Sequence, residues 1–405
     1  MRLARLKGTV KHYAWGGYSF IPELLKLSNS NKEPYAEYWM GVHPQADCKI
    51  EMANGIEKLL SDRINEDHLA SLGEYVYNKF GNMPYLLKAL DVRDMLSIQV
   101  HPSKAEAEKD FARENAANIP LDAPNRNYKD DNHKPELMVA MGDFWLLHGF
   151  KPAKELEYTL LNVAELRELL PVYNESGYAG LYKHVMEMPQ QDVNRILQPL
   201  IDNVITLYSE NKLDKDDEDF WAARAALTFK QGDNIDRGIF SIYLFNLVKL
   251  KRGEAIFQDA GVPHAYLEGQ NIEIMASSDN VLRGGLTPKH IDVKELLKHV
   301  KCEATHPQVL KGEKEGDEIV YKTPAPDFEL GCFQLETGKE ICFVPSTAEM
   351  LLLTEGNIIA ENGQEAVELK KGMPSAIAFP REAVTLKTVE NSVVFRASVP
   401  VHIGE

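Results

Sequence analysis

The segment from Leu96 to His101 alternates between apolar and polar side chains at every position. Because a β-strand has a side-chain period of two, its polar residues Ser97, Gln99 and His101 share one face, and the apolar face would fix the strand in a barrel wall. Gln99 and His101 can hold a cation together from this rigid element. Taken alone, the pair is more simply explained as two polar side chains hydrogen-bonded inside a barrel. A metal site therefore depends on further ligands.

Length and charge exclude several classes of protein. The chain of 405 residues suffices for two or three domains, and no apolar run approaches the roughly 20 residues needed to span a bilayer. A net charge of −16 argues against nucleic acid and anionic membranes as partners, although a few cations in a cleft can still bind a small anion. The N-terminus does not resemble a signal peptide, and four scattered cysteines suit a reducing cytoplasm.

The chain changes character twice along its length. Up to about residue 100, short strand-like segments alternate with turns, and a capping box that begins at Ser103 predicts a helix to about Asn115. Between residues 152 and 230, the apolar spacing predicts amphipathic helices. Strand-like segments then resume at Ile239–Tyr243 and continue nearly to the end. We therefore expect a mainly β protein with a helical insertion.

Two passages of the second half are similar to each other. Leu250–Glu254 leads into a strand that ends near His264, and Leu369–Met373 leads into the apolar segment 376–380. We interpret them as equivalent corners in two copies of a β-barrel or jelly-roll unit. The second copy has no histidine at the matching place, so it cannot repeat a metal site.

The segment Tyr128–Glu136 brings two ionisable groups into an apolar strand, which we predict over residues 133–140. In that strand Lys134 and Glu136 share a face. Buried charges are costly unless they are paired or bound to a metal, so this pair is either structural or part of a site.

A third segment begins at His264, at a turn that enters a strand, and continues through the alternating strand around Glu273. The loop that follows concentrates Asp279, Arg283 and Lys289 beside two glycines, which allow the backbone to approach a ligand closely. The three segments together offer four ligands without sulfur, a set that suits zinc in a catalytic role or another divalent transition metal. These ligands are Gln99, His101, Glu136 and His264.

Long motifs in these segments resemble those of the type I mannose-6-phosphate isomerases (phosphomannose isomerases) of the cupin superfamily. The motifs are YKDDNHKPE at 128–136 and HAYLEGQNIEIMASSDNVLRGGLTPK at 264–289, with SIQVHPSK at 97–104 in support. One departure is Gly284, where the family usually has Ala. The resemblance implies zinc on the four ligands and reversible interconversion of mannose 6-phosphate and fructose 6-phosphate. It also implies a cupin-type jelly-roll catalytic domain with an inserted helical domain, and a second jelly roll without metal ligands. These domains are expected at 1–150 with 236–300, at 151–235 and at 301–405.

Aldose–ketose isomerisation through a cis-enediol needs ring opening, a proton-transfer group and stabilisation of the enediolate oxygens. Lys134 and Glu273 are competing candidates for the base, and the sequence does not choose between them. His133 and Asp279 are candidates for ring opening, and Arg283 for stabilising the enediolate. We expect the phosphate to be bound by three residues, namely Ser97, Lys88 and Lys289.

Two other functions compete with this interpretation. A cupin metal oxygenase or another metal-dependent sugar epimerase could use two histidines and one carboxylate, but neither explains Gln99 as a fourth ligand or the basic loop. A non-catalytic sugar-phosphate-binding protein would keep the fold without turnover. The sequence leaves the oligomeric state open.

Overall fold

The computed structural model describes residues 2–51, 55–229 and 232–400. Its strands are all paired in antiparallel fashion and form two large sheets. In chain order the strands are β1 (Leu3–Lys7), β2 (Thr9–Lys11), β3 (Glu37–Gly41), β4 (Lys49–Glu51), β5 (Glu57–Leu59), β6 (Tyr85–Val92), β7 (Ile98–Val100), β8 (Glu136–Ala140), β9 (Phe144–Phe150), β10 (Phe245–Leu250), β11 (Ala255–Gln258), β12 (His264–Ala276), β13 (Leu282–Gly285), β14 (Glu313–Glu315), β15 (Glu318–Tyr321), β16 (Glu329–Leu335), β17 (Glu340–Phe343), β18 (Glu349–Glu361), β19 (Ala366–Lys370), β20 (Ser375–Ala378) and β21 (Val384–Ser398).

The longest helices lie between β9 and β10. In chain order they are α1 (Phe20–Leu24), α2 (Leu60–Glu66), α3 (His68–Leu72), α4 (Glu74–Phe80), α5 (Lys104–Ala116), α6 (Ala153–Asn162), α7 (Leu170–Glu187), α8 (Gln190–Ser209), α9 (Glu218–Thr228), α10 (Gly238–Leu244) and α11 (Val293–His299), with a 3₁₀ helix at Ala164–Leu169. Within the described residues no helix is both long enough and apolar enough to cross a bilayer.

Strand β12 organises the ten-stranded sheet, because it pairs with four other strands. Its first half pairs with β7 and β9, and its second half pairs with β6 and β8. Residues opposite each other in antiparallel strands point to the same face of the sheet. The register therefore places His264 beside Gln99, and Glu273 beside Lys88.

The eleven-stranded sheet consists of β14–β21 together with β1, β4 and β5. Strand β1 lies between β20 and β4, with Leu3 opposite Ala378. The unit expected at 301–405 therefore does not form its sheet alone, since three strands from the first 60 residues complete it. These pairings join distant parts of the chain, and no local sequence pattern reports them.

The segment Ile239–Tyr243 was expected to be a strand, and this expectation is wrong, because it lies within helix α10. All seven residues of α10 are buried. A short apolar run that is buried on every side has no polar face, so its periodicity does not distinguish a strand from a helix. The helices α6 to α10 therefore lie in one stretch of the chain and pack on β9 and β10 through one apolar cluster.

Candidate metal centre and catalytic cleft

Three of the four predicted ligands form one buried group. His101 follows β7, Glu136 begins β8 and His264 begins β12. Glu136 lies between the two rings, with Oε1 3.5 Å from His101 Nε2 and Oε2 3.3 Å from His264 Nε2. Gln99, the fourth predicted ligand, lies directly across the strand pair from His264 and faces the adjoining cleft.

Both imidazole rings are oriented by backbone carbonyls. His101 Nδ1 lies 2.8 Å from Asn280 O, and His264 Nδ1 lies 3.0 Å from Val262 O. A carbonyl only accepts hydrogen bonds, so each Nδ1 carries the proton and each Nε2 presents a lone pair. Neither Nε2 has a hydrogen-bond partner among the described residues, although both are buried. Such orphaned acceptors facing a carboxylate fit a divalent cation.

The electrostatics of the group agree with metal ligation. Burial lowers the pKa of His101 to about 4, against the attraction of Glu136, so the ring is a neutral donor. Burial alone would raise the pKa of Glu136, but the charge of Lys134, together with the contacts of the two histidines, outweighs it and holds that pKa well below its ordinary value. A neutral imidazole and an ionised carboxylate are the forms that bind a metal.

A second group of two carboxylates and a histidine differs from the first in its hydrogen-bond partners. Asp110, Glu295 and His299 also approach each other closely. Here, however, Lys298 pairs with both carboxylates, and the Tyr128 hydroxyl lies 2.6 Å from both Glu295 and His299. His299 Nε2 is therefore partnered, in contrast to the two orphaned Nε2 atoms of the first group, whereas His299 Nδ1 and Asp110 Oδ1 have no hydrogen-bond partner among the described residues.

A cleft of about 570 Å³ opens beside Gln99. Its wall brings together predicted site residues from four separate segments of the sequence. They are Lys88, Ser97, Gln99, Lys134, Asp279, Arg283 and Lys289.

Two buried ion pairs lie at the metal end of the cleft. Lys134 Nζ is 3.1 Å from Glu136 Oε1, and Lys88 Nζ is 3.1 Å from Glu273 Oε1. Glu273 also accepts a hydrogen bond from the Tyr266 hydroxyl at 2.8 Å. Burial raises the pKa of Glu273, and Lys88 opposes this shift. Lys134 contributes to the cleft wall, whereas Glu273 lies behind Lys88 and does not.

The predicted strand 133–140 begins later than expected. Strand β8 starts at Glu136, so Lys134 precedes it. Pro135 has no N–H to donate to a ladder, which explains why regular pairing begins only after it. Lys134 and Glu136 nevertheless meet, as expected for this pair.

Arg283 and Lys289 differ from the other cations of the cleft. Neither has a carboxylate within ion-pair distance in the part of the chain that the structure describes. Burial lowers the pKa of Arg283, and burial together with the charge of Arg283 lowers the pKa of Lys289. Two such cations attract an anion. Lys88, by contrast, is already paired with Glu273, so a phosphate there would have to displace a carboxylate.

His133, which we predicted as a candidate for ring opening, is not part of the cleft wall. Its Nε2 lies 2.8 Å from Oδ2 of the buried Asp327, between β15 and β16. The imidazole is thus held by a residue between two strands of the eleven-stranded sheet. A partner 194 residues away leaves no trace in the local sequence.

His43 was not predicted from the sequence, but it lines the cleft, and its Nε2 lies 3.3 Å from Asp279 Oδ2. This contact, together with the charges of nearby lysines, lowers the pKa of Asp279, although burial acts in the opposite direction. A signal was present, because Val-His-Pro occurs both at 42–44 and at 100–102. Both copies place a histidine at the end of a strand.

Gly284 lies under the cleft in a space that a side chain would overfill. A Cβ placed on it would lie 2.9 Å from Ile98 Cγ2 and 2.9 Å from the Tyr182 hydroxyl. Contacts this short do not occur without movement of the neighbours. Glycine at position 284, where the family usually has alanine, therefore leaves room for the close approach of Ile98 and Tyr182.

The fold and site together define a metal-binding enzyme with a cleft suited to small anionic substrates. The family model for the phosphomannose isomerase type I catalytic domain matches residues 3–153. The mannose-6-phosphate isomerase of Escherichia coli is 37% identical over 391 residues, covering 95% of this chain and 97% of the relative. The human mannose-6-phosphate isomerase is 34% identical, with 98% of both chains covered.

Solved structures agree with these relatives. The mannose 6-phosphate isomerase from Salmonella typhimurium, bound to its substrate fructose 6-phosphate and zinc, superimposes with a TM-score of 0.88. It shares 34% sequence identity, and the match covers 99% of this chain and 100% of that chain. The chain belongs to the type I mannose-6-phosphate isomerase family. The resemblance noted in the sequence is thereby confirmed.

Proposed function

We propose that this cleft interconverts mannose 6-phosphate and fructose 6-phosphate, with a zinc ion held by Gln99, His101, Glu136 and His264. Membership of the family confirms the predicted isomerase activity and the choice of zinc. The observation that carries the ligand assignment is the pair of buried, unpartnered Nε2 atoms on either side of Glu136. When bound, zinc supplies positive charge close to the oxygens on which the enediolate charge develops.

We assign the phosphate to Lys289 and Ser97, and the developing enediolate charge to Arg283. Lys289 and Arg283 are the cleft cations without a carboxylate partner among the described residues, so an anion need not displace an existing pair. We do not assign Lys88 to the phosphate, because it already forms an ion pair with Glu273. Its role is instead to hold Glu273 ionised at the metal end, since the Lys88–Glu273 pair is buried.

For proton transfer between carbons one and two we favour Lys134 Nζ over Glu273. Lys134 forms part of the cleft wall and Glu273 does not. Contact with the substrate is the first requirement of a general base. We assign ring opening to the pair of Asp279 and His43, whose atoms are 3.3 Å apart in the same wall.

The domain organisation also belongs to this proposal. We propose a cupin-type jelly-roll catalytic domain from 1–150 and 236–300, a helical insertion at 151–235 and a second jelly roll at 301–405 without metal ligands. The concentration of helices between β9 and β10 supports the insertion, with α10 as an extension of it. Because β1, β4 and β5 belong to the C-terminal sheet, these three strands are assigned to the second jelly roll and not to the catalytic domain. The four free cysteines support a cytoplasmic location.

Turnover of mannose 6-phosphate in deuterium oxide tests the activity and the base together. We expect the zinc-loaded protein to exchange the hydrogen at carbon two with solvent and to form fructose 6-phosphate, while Lys134→Met does neither. Lys129→Met is the matched control, since Lys129 lies on the same loop but outside the cleft wall. Binding without exchange would indicate a sugar-phosphate-binding protein, and an oxidised product would indicate an oxygenase.

A further inference from the structure

The loop between β13 and Lys289 carries the two cations assigned to the substrate at its ends. Arg283 lies within β13, directly opposite Gln99, and Lys289 lies at the far end of the loop. The distance and orientation between these cations depend on the backbone of residues 284–288. A mechanism that uses both cations needs this backbone to be held in place.

The backbone of this loop is in a conformation that it would not adopt unaided. Leu286 has a φ of 54°, in the left-handed region that side chains other than glycine rarely occupy. Gly285 has a φ of 129° and packs directly on the backbone of Gly238, whose Cα would lie 2.4 Å from an added Cβ. Conformations of this kind persist only where the surrounding structure imposes them.

One carboxylate holds the loop in this conformation. Asp236 Oδ1 accepts hydrogen bonds from Leu286 N at 2.8 Å and from Gly238 N at 2.7 Å, and Oδ2 accepts one from Thr287 N at 3.0 Å. Asp236 lies between α9 and α10, so it reaches the loop from the helical side of the molecule. Hydrogen bonds from backbone N–H groups to an ionised carboxylate are stronger than neutral ones.

We propose that Asp236 is a positioning residue that holds the loop bearing Arg283 and Lys289 in the geometry that binds the phosphorylated sugar. This inference rests on the proposed function, because it assumes that these two cations meet the substrate. Asp236 itself lies behind the loop and contacts its backbone, not the cleft.

The contacts of Asp236 explain how an acid can lie so close to a site for an anion. Its oxygens are occupied by three N–H groups, and it forms no ion pair with Arg283 or Lys289 in the described structure. The two cations are therefore not neutralised by the group that positions them. An ion pair at this place would hold the loop equally well but would compete with the phosphate.

Steady-state kinetics of Asp236→Asn and Asp236→Ala test the proposal on the zinc-loaded enzyme. Loss of one charge-assisted hydrogen bond corresponds to a change of about 10-fold in an equilibrium constant. We expect KM for mannose 6-phosphate to rise about 10-fold in Asp236→Asn and further in Asp236→Ala, because Lys289 is displaced, and kcat to fall by a smaller factor, because Arg283 is displaced as well. Zinc affinity, measured by chelator competition, should not change, because Asp236 contacts no proposed ligand.

Asp233→Asn is the matched control, since it removes the same charge from the same loop, and its exposed side chain shows no hydrogen bond to the described residues. It should leave KM unchanged. Asp236 would lose its assigned role if its variants lowered kcat and zinc affinity while KM stayed constant, or if the Asp233 variant had the same effect. If Asp236→Ala fails to fold, the proposal is tested with Asp236→Asn alone, whose KM should rise and whose affinity for inorganic phosphate should fall. An inactive wild-type enzyme would instead overturn the proposed function.

Discussion

Replacing Lys88 by methionine would remove the cation from a buried ion pair and leave Glu273 without it. The pair is 3.1 Å apart, with only 7% and 4% of the two side chains exposed. Removing one partner of a buried pair costs about 3–5 kcal/mol, because the remaining charge has neither water nor counter-ion. Glu273 keeps the hydrogen bond from Tyr266. We therefore expect the free energy of unfolding to fall by about 3 kcal/mol at pH 8, the lower end of that range.

The loss should depend on pH in a defined direction. Burial already raises the pKa of Glu273 above its ordinary value of 4.5, and removal of Lys88 raises it further. A carboxyl whose pKa is higher in the folded than in the unfolded state destabilises the fold once the pH exceeds the unfolded-state pKa, because the unfolded chain then ionises more readily than the folded protein. The penalty is therefore absent below about pH 4.5, grows by up to about 1.4 kcal/mol per pH unit as the pH rises to the folded-state pKa, and is constant above it.

Urea unfolding at pH 5.5 and pH 8 measures this difference. Both the wild-type protein and the variants should be metal-free at both pH values, so that loss of zinc does not contribute. The double variant with Glu273→Gln should recover much of the stability lost in Lys88→Met, since no buried charge then remains. Lys49→Met, at the exposed pair of Lys49 and Glu57, should have little effect. A loss independent of pH, or a double variant no more stable than Lys88→Met, would refute this reasoning.

Three further predictions follow from the site. His101→Ala and His264→Ala should each abolish both zinc retention, measured by metal analysis after dialysis, and turnover; full activity in metal-stripped protein would exclude the metal centre. Lys289→Ala should raise KM for mannose 6-phosphate far more than it weakens binding of unphosphorylated mannose, and equal effects on both would remove Lys289 from the phosphate site. Gly284→Ala should lower the free energy of unfolding by about 1–3 kcal/mol through overpacking, and a variant as stable as the wild type in denaturant would show that the neighbours yield freely.

Local patterns in the sequence predicted helices and strands that are determined by neighbouring residues. The capping box at Ser103 is present at the start of α5, and this prediction is confirmed. The alternation around Gln99 corresponds to β7, whose Ile98 and Val100 are buried. The metal ligands could be predicted because burying a histidine or a glutamate in an apolar strand costs free energy unless the side chain is hydrogen-bonded, paired or bound to a metal.

What the sequence did not reveal depends on contacts between distant segments. The bond between His133 and Asp327 spans 194 residues, and the bonds from Asp236 to the loop span about 50. Neither carboxylate lies in a motif, so nothing in the local sequence distinguishes it from a solvated acid. The helix α10 was missed for a different reason, since complete burial removes the periodicity on which the prediction depends.

The position of β1 between β20 and β4 has a consequence for the newly made chain. Leu3 pairs with Ala378, about 375 residues later, so its sheet partner is synthesised long after it. At about 5–20 residues per second, the interval is roughly 20–75 s. During that interval an apolar edge strand lacks one of its two neighbours and can pair with another chain. Chaperone dependence and aggregation on overexpression should therefore increase as translation between these two strands becomes slower.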